Sequence, residues 1–250
     1  MKKAAIAISL LCILYCGNTY SQIPRAKDTR SLIDSMIERE KPFTNWKSKP
    51  LCDGCPWFNV IPGSKPILIL APHATPQTRE GKIKIADGGS GSLAITLAKA
   101  TGATVIYTTY LSPQDPNYYD DNDFKQKVKE VVSKLKPKIV LDLHVSDSKR
   151  PYDIDFGTRH DTSLVGRHFL LDTLKYFCNQ AGIMNLSKDF FAASEHQTDT
   201  KWVSNLGTPC IQCEINATMV MPDQGDIYAE RSSQLLNALI SYFDWVRDVK

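Results

Sequence analysis

The spacing of apolar and polar positions changes several times along this chain. Over residues 28–41, Leu32, Ile33, Met36 and Ile37 fall on one stripe at helical spacing, and Pro42 is expected to stop the helix. Residues 42–64 are rich in Pro, Gly, Lys and Trp, have no period, and read as an extended arm. From residue 65 onward, strands and helices alternate. Residues 66–71 form a fully apolar run of the kind buried on both faces of a parallel sheet. Residues 90–100 read as a helix, N-capped by Ser90 or Ser92 and ended by Gly102. A β-branched strand at 103–110, an amphipathic helix at 123–135 and a strand at 138–144 follow. A helix at 164–180, a strand at 208–215 and a long closing helix at 224–246 complete the pattern. The alternation predicts an α/β fold with helices on both faces of a mixed, mostly parallel sheet.

The first residues break the pattern. Lys2 and Lys3 precede an apolar run from Ala4 to Tyr15, and a small, polar stretch leads to Ser21. This is the layout of a secretory signal peptide covering residues 1–21. The run is too short for a stable transmembrane helix, and no later segment approaches that length. Lipid attachment at Cys12 or Cys16 is the less favoured alternative, because Leu11 and Tyr15 are bulky. The expected organisation is therefore a signal at 1–21, a helix and arm at 22–64, and one catalytic domain at 65–250, exported to the periplasm or beyond. The net charge of +3 falls to +1 without Lys2 and Lys3. A nearly neutral chain lacks the electrostatic footprint of a nucleic-acid binder. The expected partner is a small-molecule or peptide-like substrate.

Export also permits disulfides. Cys52 and Cys55 flank a turn and suit a local bridge. Cys210 and Cys213 lie in one expected strand, where residues three apart face opposite sides and cannot chelate one ion. They read as buried thiols.

Ligands of open α/β sheets bind at the carboxyl ends of the strands. His73 follows the first apolar strand and His144 ends the strand at 138–144, so both imidazoles are aimed at one rim. Catalytic zinc takes three protein ligands and leaves one position open. The third ligand is sought in the loop after His73. Asp87, just ahead of the helix at 90, is preferred, and Glu80 is the alternative. Glu214 lies near the end of an otherwise apolar strand, where a carboxylate is costly unless paired or used. Beside a metal it suits a general base and acid; the structural alternative is an ion pair with Arg79 or Lys201. Asp142, two residues before His144, suits a supporting role. Arg79 suits a fork for a substrate carboxylate. The stretch 153–158 is expected at the pocket wall, and His196 in a polar lid. His160 and His168 read as surface and helix residues. No Gly-x-Ser-x-Gly elbow, P-loop or dinucleotide fingerprint is present.

Taken in order, Ala71-Pro-His73, Arg79-Glu-Gly81, Ala86-Asp87, Ser90-Gly-Ser-Leu-Ala94, Leu141-Asp-Leu-His144, Asp155-Phe-Gly-Thr158 and Gln212-Cys-Glu-Ile-Asn216 form a set. The set resembles the N-formylglutamate amidohydrolase family, across the whole expected catalytic domain. The resemblance implies a phosphorylase/hydrolase-like three-layer sandwich related to zinc carboxypeptidases and aspartoacylase. It also implies metal-dependent hydrolysis of an amide beside a carboxylate. Carried over, His73, Asp87 and His144 are metal ligands, Glu214 is catalytic, and Arg79 binds substrate. Two departures stand out. Ala217-Thr-Met follows Asn216 where the family often has an arginine, and the chain carries an export signal. The substrate expected is therefore an N-acyl amino acid or peptide-like amide met outside the cytoplasm. A non-catalytic binding protein on the same fold is the alternative. A zinc carboxypeptidase would carry His-x-x-Glu, whereas Ala-Thr-Pro76 follows His73.

Overall fold

The computed structural model describes residues 29–48, 51 and 53–249. The expected signal segment lies outside the described residues. The elements are α1 (Arg30–Thr44), β1 (Phe58–Ile61), β2 (Ile67–Ala71), β3 (Gln77–Arg79), β4 (Lys82–Lys84), α2 (Ser90–Thr101), β5 (Thr104–Thr108), α3 (Asp123–Leu135), β6 (Ile139–Ser146), β7 (Ile154–Gly157), α4 (Phe169–Gln180), β8 (Leu186–Lys188), α5 (Asp199–Asn205), β9 (Cys210–Asn216) and α6 (Asp226–Asp248). Seven strands form one sheet in the order β1-β5-β2-β6-β9-β7-β8, and β3 and β4 form a separate hairpin. The central strands β5, β2, β6 and β9 are mutually parallel, while β1 and β7 pair antiparallel with β5 and β9. The sheet is thus mixed and mostly parallel.

Strand periodicity sorts the core into two layers. Ile67, Ile69, Val105, Leu141, Ile211 and Cys213 pack with α1, α2, α4 and α6. Leu68, Leu70, Ile106, Val140 and Cys210 face the other way, onto α3, α5 and the aromatic pair Trp57 and Phe58. Cys210 and Cys213 therefore sit in different layers, as strand geometry requires. Each fully buried Leu or Ile contributes roughly 1.5–3 kcal/mol relative to exposure. The Asn122 side chain accepts from Lys125 N at 2.9 Å and caps α3, worth about 1 kcal/mol.

Several sequence expectations need correction. Pro42 does not stop α1, which continues to Thr44. It falls in the last turn, where one missing N–H is offset by burial of Phe43 edge-on against Tyr107. Neither Ser90 nor Ser92 caps α2; the N-cap is Gly89 at φ 89°. Its N–H donates to the Glu40 carboxylate of α1 at 3.1 Å, so a neighbouring helix supplies the anion at the N-terminus. A Cβ on Gly89 would lie 2.6 Å from the Val220 carbonyl oxygen. The helix expected at 164–180 begins only at Phe169. β1 emerges from the expected arm as an edge strand. The hairpin, β7, β8 and α5 have no counterpart in the expected pattern. Cys55 is disulfide-bonded; its expected partner, Cys52, lies outside the described residues.

Candidate metal centre

The four parallel strands each deliver one polar side chain to the same end of the sheet. His73 follows β2, Asp115 lies in the loop after β5, His144 sits near the end of β6, and Glu214 near the end of β9. His144 and Glu214 are direct partners in the β6–β9 register. Asp87 arrives from the loop after the hairpin, held by its N–H on the His73 carbonyl at 2.8 Å.

His73, Asp87 and His144 converge, with candidate ligand atoms all within 4.8 Å of one another. Asp87 Oδ2 lies 3.4 Å from His73 Nδ1 and 3.2 Å from His144 Nδ1. Ligands about 2.1 Å from a tetrahedral zinc are spaced by about 3.4 Å. The donor set thus fits a divalent ion in both chemistry and spacing. The far nitrogens fit it too. His73 Nε2 pairs with Asp115 Oδ1 at 2.9 Å, and His144 Nε2 with Asp142 Oδ1 at 3.2 Å. A carboxylate behind each imidazole fixes the ring and turns Nδ1 toward Asp87. Asp142 is held in turn by the Thr200 hydroxyl at 3.1 Å. Asp115 is held by Arg79, whose Nε donates to Oδ2 at 2.8 Å.

The titratable groups of the centre shift one another strongly. Burial opposes a charge on His73, but Asp87 and Asp115 outweigh it and raise its pKa to about 9. His144 is raised well above its ordinary value, with Asp142 and Asp87 overcoming burial. Asp87 and Asp115 are both held well below the carboxylate range; burial raises them, and the histidines more than compensate. Glu214 behaves oppositely. Burial pushes it up to about 7, with His144 opposing and Asp87 adding to the rise. Its Oε1 accepts from Gln212 Nε2 at 3.1 Å. Among the described residues it forms no ion pair with Arg79 or Lys201.

The remaining expected residues are elsewhere. The Glu80 carboxylate lies on the hairpin and accepts from the Tyr118 hydroxyl at 2.7 Å. Arg79 gives Nε and Nη2 to Asp115 and its guanidinium lies over the Tyr118 ring at 4.8 Å; Nη1 has no hydrogen bond among the described residues. Asp155 does not face a pocket by backbone alone. Its buried carboxylate accepts from Ser187 and from the N–H groups of Phe190 and Phe191, tying down the loop over β7. Gly157 lets the Phe191 carbonyl approach, since a Cβ there would lie 2.4 Å from it. His196 stacks on Tyr118 at 4.4 Å. His160 and His168 are exposed. Asp115 escaped the sequence reading altogether. Its signal is position alone: the loop that follows the strand next to β2.

No protein-family model and no curated protein matches the chain. Its fold is similar to solved structures. N-formylglutamate amidohydrolase from Ralstonia eutropha JMP134 matches with a TM-score of 0.52 at 14% identity, covering 76% of this chain and 98% of that one. A gene product of Agrobacterium tumefaciens matches at 0.52 and 13%, covering 79% and 98%. Glutaminyl cyclase from an Acidobacteriales bacterium matches at 0.51 and 12%, covering 86% and 94%. At these identities the similarity is one of fold. The fold implied by the sequence resemblance is the fold observed.

Proposed function

We propose that this chain is a zinc-dependent amidohydrolase that cleaves an amide of an N-acyl amino acid or peptide-like substrate outside the cytoplasm. One observation carries the reading. Two imidazoles present Nδ1 to a shared Asp87 oxygen while each Nε2 rests on its own buried carboxylate. A pair of histidines that only satisfied each other in a core would not need this arrangement. The amidohydrolase named among the fold's solved relatives supports the reaction class.

His73, Asp87 and His144 would hold the ion. Bound there, it supplies acidification of water and polarisation of the amide carbonyl. Glu214 takes a proton from the attacking water and returns it to the departing amine, so no net proton is gained or lost. Burial raises its pKa, the direction that suits a group returning a proton. Arg79 fixes Asp115 with two donors and keeps Nη1 for a substrate carboxylate. The Cys55 disulfide and the basic, then apolar, start of the chain support export. In this scheme residues 1–21 are the removed signal.

The test combines metal quantification with a hydrolysis screen of N-acyl amino acids and peptide-like amides. One zinc per chain, and turnover lost on chelation and regained with zinc, is the expected result. A chain with no stoichiometric metal and no gain on adding it would be a binding protein instead.

A further inference from the structure

The loop that carries Asp87 into the centre runs Asp87-Gly88-Gly89-Ser90 and ends at α2. Two consecutive glycines give it a wide choice of backbone angles and no side chain with which to anchor itself. Within the loop's own reach, the Asp87 N–H binds the His73 carbonyl at 2.8 Å and the Ser90 N–H binds the Asp87 carbonyl at 3.1 Å. Further contacts come from neighbouring elements.

α1 supplies the polar one. Gly89 donates its N–H to Glu40 Oε1 at 3.1 Å. The Ser92 hydroxyl stands beside the same carboxylate and reaches the Gly89 carbonyl at 3.1 Å. From another side Val220 closes on Gly89, leaving no room for a Cβ. One turn further along α1, the Phe43 ring crowds Gly91. A Cβ on Gly91 would lie 2.5 Å from Phe43 Cζ and 2.7 Å from the Cβ of Ala74, the residue after His73. Glu40 and Phe43 are three residues apart and so share one face of α1. That face sets one polar and one apolar contact on residues 89–91.

We infer that Glu40 is a positioning residue: by fixing Gly89 it sets the direction from which Asp87 reaches the two imidazoles, so the metal affinity of the centre depends on α1. The inference rests on the metal-dependent reading of the site. It extends that reading to a helix that precedes the sheet and carries none of the proposed ligands. An anion at the start of α2 also suits the helix dipole. That role alone would show in stability and not in metal affinity.

The test is the zinc affinity of the full-length chain, measured by competition with a chromophoric chelator, in three variants. Glu40→Ala removes the acceptor, Glu40→Asp keeps the charge but falls short of Gly89, and Glu40→Gln keeps an acceptor of the same length. Affinity should fall about tenfold in Glu40→Ala, the lower end for groups that orient a metal ligand. It should fall severalfold in Glu40→Asp and stay close to the parent in Glu40→Gln. Ile33→Ala trims the buried face of α1 two turns before Glu40. It should lower the melting temperature and leave zinc affinity unchanged. Parent-like affinity in Glu40→Ala and Glu40→Asp overturns the inference. So does an equal loss in Ile33→Ala, which traces the effect to helix packing, or in Glu40→Gln, which traces it to charge. Should Glu40→Ala not fold, Glu40→Asp carries the comparison. Amide exchange at Gly89, followed by NMR without metal, should quicken in Glu40→Ala and Glu40→Asp but not in Glu40→Gln. That pattern in a chain whose parent binds no zinc sinks the metal reading and leaves the positioning of the loop standing. Zinc bound alike by every variant does the reverse.

Discussion

Asp115 and His73 come from loops after neighbouring strands and meet at 2.9 Å, carboxylate to Nε2, with Asp115 fully buried. The contact decides which imidazole nitrogen faces Asp87. Asp115→Asn keeps the shape and loses the charge. Zinc affinity should fall 10–100-fold, read by competition with a chromophoric chelator. Arg79→Met should move it the same way by a smaller factor, because it acts through Asp115. Unchanged affinity in Asp115→Asn would show that the contact has no part in metal binding.

Glu214→Gln should lower kcat by 10²–10⁴-fold, the usual contribution of a positioned acid–base group. Zinc content should stay at the wild-type level, since Glu214 lies outside the proposed ligand triad. Activity close to wild type would remove Glu214 from the mechanism.

The same substitution should stabilise the metal-free protein, but only at the higher pH. Glu214 has a folded pKa of about 7 against an ordinary 4.5. As pH rises, the unfolded chain releases this proton first. The stability linked to the protonated group is complete below 4.5 and lost as pH climbs through about 7. The difference is worth at most roughly 3 kcal/mol. Urea denaturation should therefore show Glu214→Gln more stable than wild type at pH 8, and no such gain at pH 4. An equal gain at both would mean that packing, not charge, is responsible.

Cys178, Cys210 and Cys213 should resist thiol reagents in the native state. All three are buried, and burial alone pushes Cys178 up to about 12. Burial also raises Cys210 and Cys213 well above the ordinary thiol. Ellman's reagent should detect them only after denaturation; rapid native labelling would contradict their placement.

What could be read from the sequence followed apolar periodicity. β2, β5, β6 and β9 are runs that must be buried, and their carboxyl ends locate His73, His144 and Glu214. The elements missed carry weak patterns for local reasons. β7 has Asp155 at its centre, tolerable only because Ser187 and two loop N–H groups satisfy it. β1 is an edge strand of four residues between prolines, with Asn59 exposed. α5 has seven residues and begins in a polar stretch capped by Thr198. Asp115 was illegible because its partner, His73, lies 42 residues away in sequence and only the fold joins them.

His73 and Asp87 enclose thirteen residues that leave the sheet, form the hairpin and return. The excursion is closed at its base by the Asp87 N–H on the His73 carbonyl. Its first strand is tied to the centre through Arg79 and Asp115, while Ile83 of the second strand and Ile85 just beyond it are well exposed. A lineage of such chains can rewrite the exposed second strand while the ligand spacing stays where the clamp and Arg79 put it. That exposed strand is the side of the hairpin open to evolutionary change.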